Sequence, residues 1–181
     1  LVNRAPRTLT LRETLFEFIE HRKEVIRRRT MFLLRRARRR AHLLEGLILA
    51  VADIDTIIEI IKTSKDVPNA RERLMAHPLK LTEAAAIRKL LPDKFVNTVG
   101  DEEQTLTGVQ TEEILRMQLQ RLTGLEIEKL ASDYTSIVEE MEGYEAILND
   151  DALLLDVIRE DIYEMKEKYG VTGGDIAKSL L

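Results

Sequence analysis

Residues 125–149 read LEIEKLASDYTSIVEEMEGYEAILN, and the fold turns on them. Ile127, Leu130, Tyr134, Ile137, Met141, Tyr144 and Leu148 recur at alternating steps of three and four. That spacing puts all seven on one stripe of a helix and makes the stripe a coiled-coil seam. A seam needs a partner, and residues 10–63 supply one. They contain no Pro and a single Gly, Gly46, and they open with Thr10 and Glu13 spaced as a capping box. Apolar or small residues then recur at Ile26, Thr30, Leu33, Ala37, Ala41, Leu44, Ile48, Val51, Ile54, Ile58 and Ile61. A helix of that length is a rod of about 80 Å, too long to stand alone. Set antiparallel, the seams match with Ile61 opposite Ile127, Ile58 opposite Leu130, Ile54 opposite Tyr134, Val51 opposite Ile137 and Leu44 opposite Tyr144; Thr30 and Ile26 then face Ile158 and Ile162.

The predicted fold is therefore all-α: a long antiparallel two-stranded coiled coil with a small globular helical dimerisation knob at its tip. Residues 1–9 form an N-terminal extension and 10–63 the outgoing helix. Residues 64–124 form the knob, 125–149 the returning helix, 150–170 its continuation and 171–181 a tail. Ser64 to Pro68 breaks the outgoing helix, and His77-Pro78 and Leu91-Pro92 stop short helices in the knob. Thr107 with Gln110 and Thr123 with Glu126 are further capping boxes, the first opening a helix to about Leu122. Asn149-Asp150-Asp151 interrupts the return and supplies a fresh cap. Together with Gly46 it marks an expected bend point.

Composition narrows the class. Of 181 residues 44% are hydrophobic, 33% charged and 4% aromatic, with eight Gly, four Pro and no Cys. Turn-poor, helix-rich usage excludes a β-sandwich, a collagen and a disordered chain. Without Cys there is no disulfide framework, thiolate zinc site or cysteine nucleophile. The run Leu47 to Ala52 falls far short of the ~18 apolar residues of a membrane span. Lacking an initiator Met and a signal-peptide pattern, the chain reads as a fragment of a longer intracellular, cytoplasmic protein.

Charge is unevenly spread. Residues 22–40 (RKEVIRRRTMFLLRRARRR) carry ten Lys or Arg against Glu24, while the whole chain is at −4. In the antiparallel register six acids within 148–166 lie opposite, so part of the block is internally complemented. The remainder, with Arg27, Arg28, Arg35, Arg36 and Arg39 as candidates, is either a solvated face or a weak phosphate-facing one. Phe32, the block's one aromatic, is assigned to packing, so no base-stacking platform is expected.

No catalytic constellation is found. His21, His42 and His77 lack metal-ligand spacing, and no glycine-rich phosphate loop or HExxH occurs. Tyr134 and Tyr144 sit on the seam, and Tyr163 and Tyr169 are helical. The residues alone describe a scaffold, and a stand-alone coiled-coil dimeriser satisfies them.

Specific strings go further. LRETLFEFIEHRKEVIRRRTMFLLRRARRRAHLLEGLILAVADIDTIIEIIKTSKD, then EEILRMQLQRLTGLEIEKL, then VIREDIYEMKEKYG, resemble the A subunits of bacterial type IIA topoisomerases. The likeness is to DNA gyrase first, with topoisomerase IV as the close alternative, and it covers nearly the whole chain. The departures, VTGGDIAKSLL at the end and the content of 92–104, leave those two open.

The resemblance implies the exit gate of an ATP-dependent enzyme that passes one duplex through a double-strand break in another. It implies a homodimer, DNA bound by the complete enzyme, and a separate ATPase B subunit. The family's catalytic Tyr precedes this region, and magnesium and ATP belong to the partner subunit, so no catalytic, cofactor or metal residue is expected here. The knob would meet its twin to close the gate. Residues 79–91 and 107–124, with Ile114, Leu115, Met117, Leu119 and Leu122, are the expected dimer patch.

Overall fold

The computed structural model describes residues 8–80, 103–117 and 124–170, with 124–127 given as backbone only. Among these residues lie six helices: α1 (Leu11–Ala52), α2 (Ile54–Thr63), α3 (Val67–Ala76), α4 (Gly108–Arg116), α5 (Gly124–Asn149) and α6 (Asp151–Tyr169). Two short strands, β1 (Pro78–Leu79) and β2 (Gln104–Thr105), pair antiparallel with Pro78 opposite Thr105. The chain is all-α in class, and the two-residue ladder was not legible as a strand signal.

Local chemistry explains the helix starts. The Thr10 backbone N–H donates to Glu13 Oε2 at 2.8 Å, and the Glu13 N–H donates back to Thr10 Oγ1 at 3.3 Å. Thr107 and Gln110 form the same reciprocal pair at the head of α4. Asp66 accepts from the Asn69 N–H at 2.8 Å with Pro68 in the first turn of α3, and Asp150 accepts from the Ala152 N–H at 2.8 Å. Each satisfies a donor that the first turn leaves without a helical acceptor. Thr123 lies outside the described residues.

Two helix boundaries differ from the sequence expectation. The outgoing helix is not continuous to Thr63: it breaks at Asp53, whose backbone sits at φ −128, ψ 51. Asp53 makes no side-chain cap; its Oδ2 lies 3.0 Å from Nε2 of His77, at the end of α3. Likewise α4 stops at Arg116 rather than near Leu122. Met117 turns extended (φ −77, ψ 138) and its side chain packs against the core, so tertiary burial overrides helix propensity.

The chain divides into two compact units, one of residues 1–34 with 143–181, the other of residues 35–142. In the first, Ile26, Leu154 and Ile158 form a small core, with Ile147 and Val157 packed against it. Arg22 pairs with Asp161 at 2.6 Å and Arg27 with Asp151 at 2.5 Å, so α1 and α6 run antiparallel within this unit.

The second unit holds the larger core, and that core extends beyond residues 64–124. Ile48, Ile57, Leu74, Leu79 and Ile114 are its largest fully buried apolar side chains, joined by Leu44, Val51, Ile60, Leu106, Tyr134 and Ile137. Fully burying such a side chain contributes about 1.5–3 kcal/mol.

The seam residues are placed unevenly. Leu44, Ile48, Val51, Tyr134 and Ile137 are buried; Ile54, Ile58, Ile61, Leu130, Met141, Tyr144 and Leu148 are half-buried; the Ile127 side chain lies outside the description. In α2 the buried positions are Ile57 and Ile60, not the expected 54, 58 and 61. The non-helical Asp53 rephases the helix, which turns a neighbouring stripe inward.

The pairing register is also corrected. Tyr134 Oη donates to Glu45 Oε1 at 3.0 Å, and Glu45 lies nine residues, about 13 Å of helix, before the expected partner Ile54. In the first unit Ile26 packs with Leu154 and Ile158 rather than Ile162, which is 47% exposed. Phe32, assigned to packing, is exposed as well. Two seams of equal period can slide along one another without losing their match, so periodicity alone did not fix the register.

Candidate functional site

The second unit is organised around one polar side chain, Gln110, at the third position of α4. It is 5% exposed. Its Oε1 accepts from the Thr107 N–H at 2.8 Å, completing the capping box, and its Nε2 donates to the His42 carbonyl at 2.8 Å. Between these bonds the side chain lies across Gly46 of α1. A Cβ at Gly46 would sit 2.5–2.7 Å from the Gln110 Cγ, Cβ and Cδ. Gly46 is therefore a close-approach position inside a continuous stretch of helix. The interruption at Asp150 is real, since α5 ends at Asn149 and α6 restarts at Asp151.

Glu45, the neighbour of Gly46, ties α5 to the same place. Its carboxylate accepts the Tyr134 hydroxyl and lies 3.7 Å from His42 Nδ1. Burial first, and then the facing Glu45 charge, push the Tyr134 phenol well above the ordinary tyrosine value. Tyr134 stays protonated as a donor throughout the physiological range and ties α5 to Glu45 of α1.

Outside this lock, α3 and α4 enclose a shallow groove lined by Val67, Met75 and Leu115. Val67 is 68% and Met75 40% exposed. Arg71 of α3 pairs with Glu112 of α4 at 2.9 Å along the groove. Glu72 also lines the groove, so its charged rim is one base and two acids around an apolar strip.

Of the five residues named for the expected dimer patch, Ile114, Leu115 and Met117 are among the described residues. Ile114 is 0% exposed, packed inside its own protomer, and cannot form a surface contact; this corrects its assignment. At the 3.6-residue period, burying Ile114 turns the next position, Leu115, partly outward into the groove. Leu115 and Met117 are half-buried on the same core. Leu119 and Leu122, and residues 81–91, lie outside the described residues. Val67 and Met75 were missed, although the N-cap Asp66 and Pro68 already placed Val67 in an exposed first turn.

The basic block is partly spent. Arg27 is paired with Asp151 and Arg28 with Glu24, both at the surface. Arg35 and Arg38 have other partners. Arg36 and Arg39 are exposed, as is Arg40. Of the histidines, His77 meets Asp53 and His42 meets Thr107, Oγ1 to Nε2 at 3.0 Å. Among the described residues no group of three His, Asp or Glu side chains could hold a metal ion. Among the described residues no helix is long and apolar enough to cross a membrane.

The model of the DNA gyrase/topoisomerase IV family of A subunits matches residues 1–163. The chain belongs to that family. Its relatives include the DNA gyrase A subunit of Pseudomonas aeruginosa, 39% identical over 178 residues, which cover 94% of this chain and 19% of the relative. The DNA gyrase A subunit of Rickettsia conorii is 39% identical over 165 residues, covering 91% and 18%. That of Campylobacter fetus is 40% identical over 167 residues, covering 92% and 16%. The chain spans about a fifth of the length of the curated relatives it matches. Within this stretch of the gyrase family the described residues form helices, a packed second unit and an open groove.

Proposed function

We propose that this chain is the exit-gate and dimerisation module of a type IIA DNA topoisomerase, a DNA gyrase A subunit in kind. It supports ATP-dependent passage of one duplex through another in a cytoplasmic holoenzyme with an ATPase B subunit. The relatives named above favour gyrase over topoisomerase IV, whose name the family model also carries. In this reading the chain supplies no nucleophile, and magnesium and ATP are held by the partner subunit.

The observation that carries the gate role is the groove between α3 and α4. It presents apolar side chains to solvent on a unit whose core is already filled, and its flanks carry opposite charges. A contact of that kind, small and bordered by ion pairs, can close and reopen.

Sedimentation equilibrium of the chain tests it with Val67→Glu. Position 67 is the first residue of α3, where an added carboxylate suits the helix dipole and leaves folding intact. Two such carboxylates facing one another in a dimer weaken association about 100-fold, on the order of 2.7 kcal/mol. A dimer constant unchanged by Val67→Glu would remove the groove from the gate.

A further inference from the structure

We infer that Arg36, Arg39 and Arg40 of α1 form a phosphate-contacting face that holds the backbone of duplex DNA without reading its sequence. Ala37, Ala41 and Leu44 are buried, which fixes the inward side of α1 in the second unit. At 100° per residue Arg39 then points almost directly away from the core, with Arg36 about 60° and Arg40 about 100° round the helix from it on one side. All three are exposed, and no carboxylate among the described residues pairs with them. The paired arginines of the same helix, Arg22, Arg27 and Arg28, show that acids are placed where charge is to be neutralised. Here none is. Between Glu24 and Glu45 the helix contains no acid at all.

The chemistry of the face selects the partner. A membrane-surface helix needs apolar side chains flanking its cations, and a protein interface needs apolar or aromatic anchors. From 35 to 40 the outward positions carry only guanidinium groups. Guanidinium forks match phosphate oxygens bidentately, and Arg36 and Arg40 stand about 6 Å apart along the helix, within reach of neighbouring phosphates on one strand. No aromatic lies in this segment, so no base is stacked and no sequence is read. The choice of DNA over other polyanions rests on the topoisomerase reading above; the face itself does not.

Fluorescence anisotropy of a labelled 30-base-pair duplex, titrated with the chain from 25 to 200 mM salt, tests the inference. The chain at −4 has no general attraction for DNA, so binding reports a local site. Three phosphate contacts give a slope of log K against log salt of about −2.7 per protomer. Arg36→Gln/Arg39→Gln/Arg40→Gln, all at exposed positions and to a good helix former, is expected to flatten that slope and weaken binding at least tenfold at 25 mM salt. The triple Lys variant keeps the slope at lower affinity, and Arg27→Gln/Arg28→Gln binds like the parent. No binding by the parent at 25 mM salt, or an unchanged slope in the Gln variant, overturns the face. Equal binding to polyglutamate or to phosphatidylserine vesicles overturns DNA as the partner. Dimerisation is read separately by sedimentation, so failure here and failure of the gate are distinguishable.

Discussion

Ile114→Ala is expected to lower the unfolding free energy of the chain by about 2–5 kcal/mol, the usual cost of emptying a well-packed aliphatic site. Ile114 is wholly enclosed in a core that also holds Ile48, Ile57, Leu74 and Leu79. Its helix cannot collapse into the void, because α4 is held at its head by the Thr107–Gln110 box and against α1 by the Gln110 bond to the His42 carbonyl. Urea denaturation followed by circular dichroism measures the loss. Leu115→Ala, half-buried beside the groove, should cost less than half as much while weakening self-association. If Ile114→Ala left the midpoint in place and abolished dimers, Ile114 would be an interface residue after all.

Gly46→Ala should also destabilise, against its helix propensity. In an ordinary helix interior the change gains about 1 kcal/mol. Here the new methyl would meet the inner atoms of Gln110 at 2.5–2.7 Å. Gln110 cannot swing aside without releasing the Thr107 N–H and the His42 carbonyl. Overpacking of this kind costs about 1–3 kcal/mol, and each released buried group about 1–3 more, so the net loss is at least about 2 kcal/mol. The variant Gly46→Ala/Gln110→Gly removes the Cβ, Cγ and Cδ that the new methyl would meet and should recover part of the loss, giving a favourable coupling in the double-mutant cycle. Additive losses would mean that the two residues do not press on one another.

These expectations mark where the sequence was readable. The capping boxes at Thr10 and Thr107 and the cap at Asp150 were legible because their partners lie two or three residues away. The two long seams were legible for the same reason, since a helical stripe is a local period. The break at Asp53 was not, because its partner His77 comes 24 residues later on a different helix. Pairing between the seams was misread by one turn at Ile26 and by more than two at Tyr134, since equal periods slide freely and the deciding Tyr134–Glu45 bond is a tertiary fact. Ile114 and Leu115 are adjacent apolar residues on a short helix, and only the position of the core says which faces inward. Among the arginines, the sequence found the basic block but could not tell Arg27, bound to Asp151, from Arg39, which meets no carboxylate among the described residues.

The same limits shaped the candidate gate. Val67 and Met75 carry no motif; they matter because α3 and α4 lie side by side and leave both in the open. That placement is also the most exposed part of the account. The chain has no cysteine, so a single introduced thiol is unique. Val67→Cys and, as a control in the other unit, Leu153→Cys, both at exposed positions, can be treated with a short bismaleimide at concentrations where the chain self-associates. The gate reading predicts a covalent dimer from Val67→Cys within minutes and monomer from Leu153→Cys. Cross-linking at Leu153 with none at Val67, or a chain that stays monomeric throughout, would contradict it.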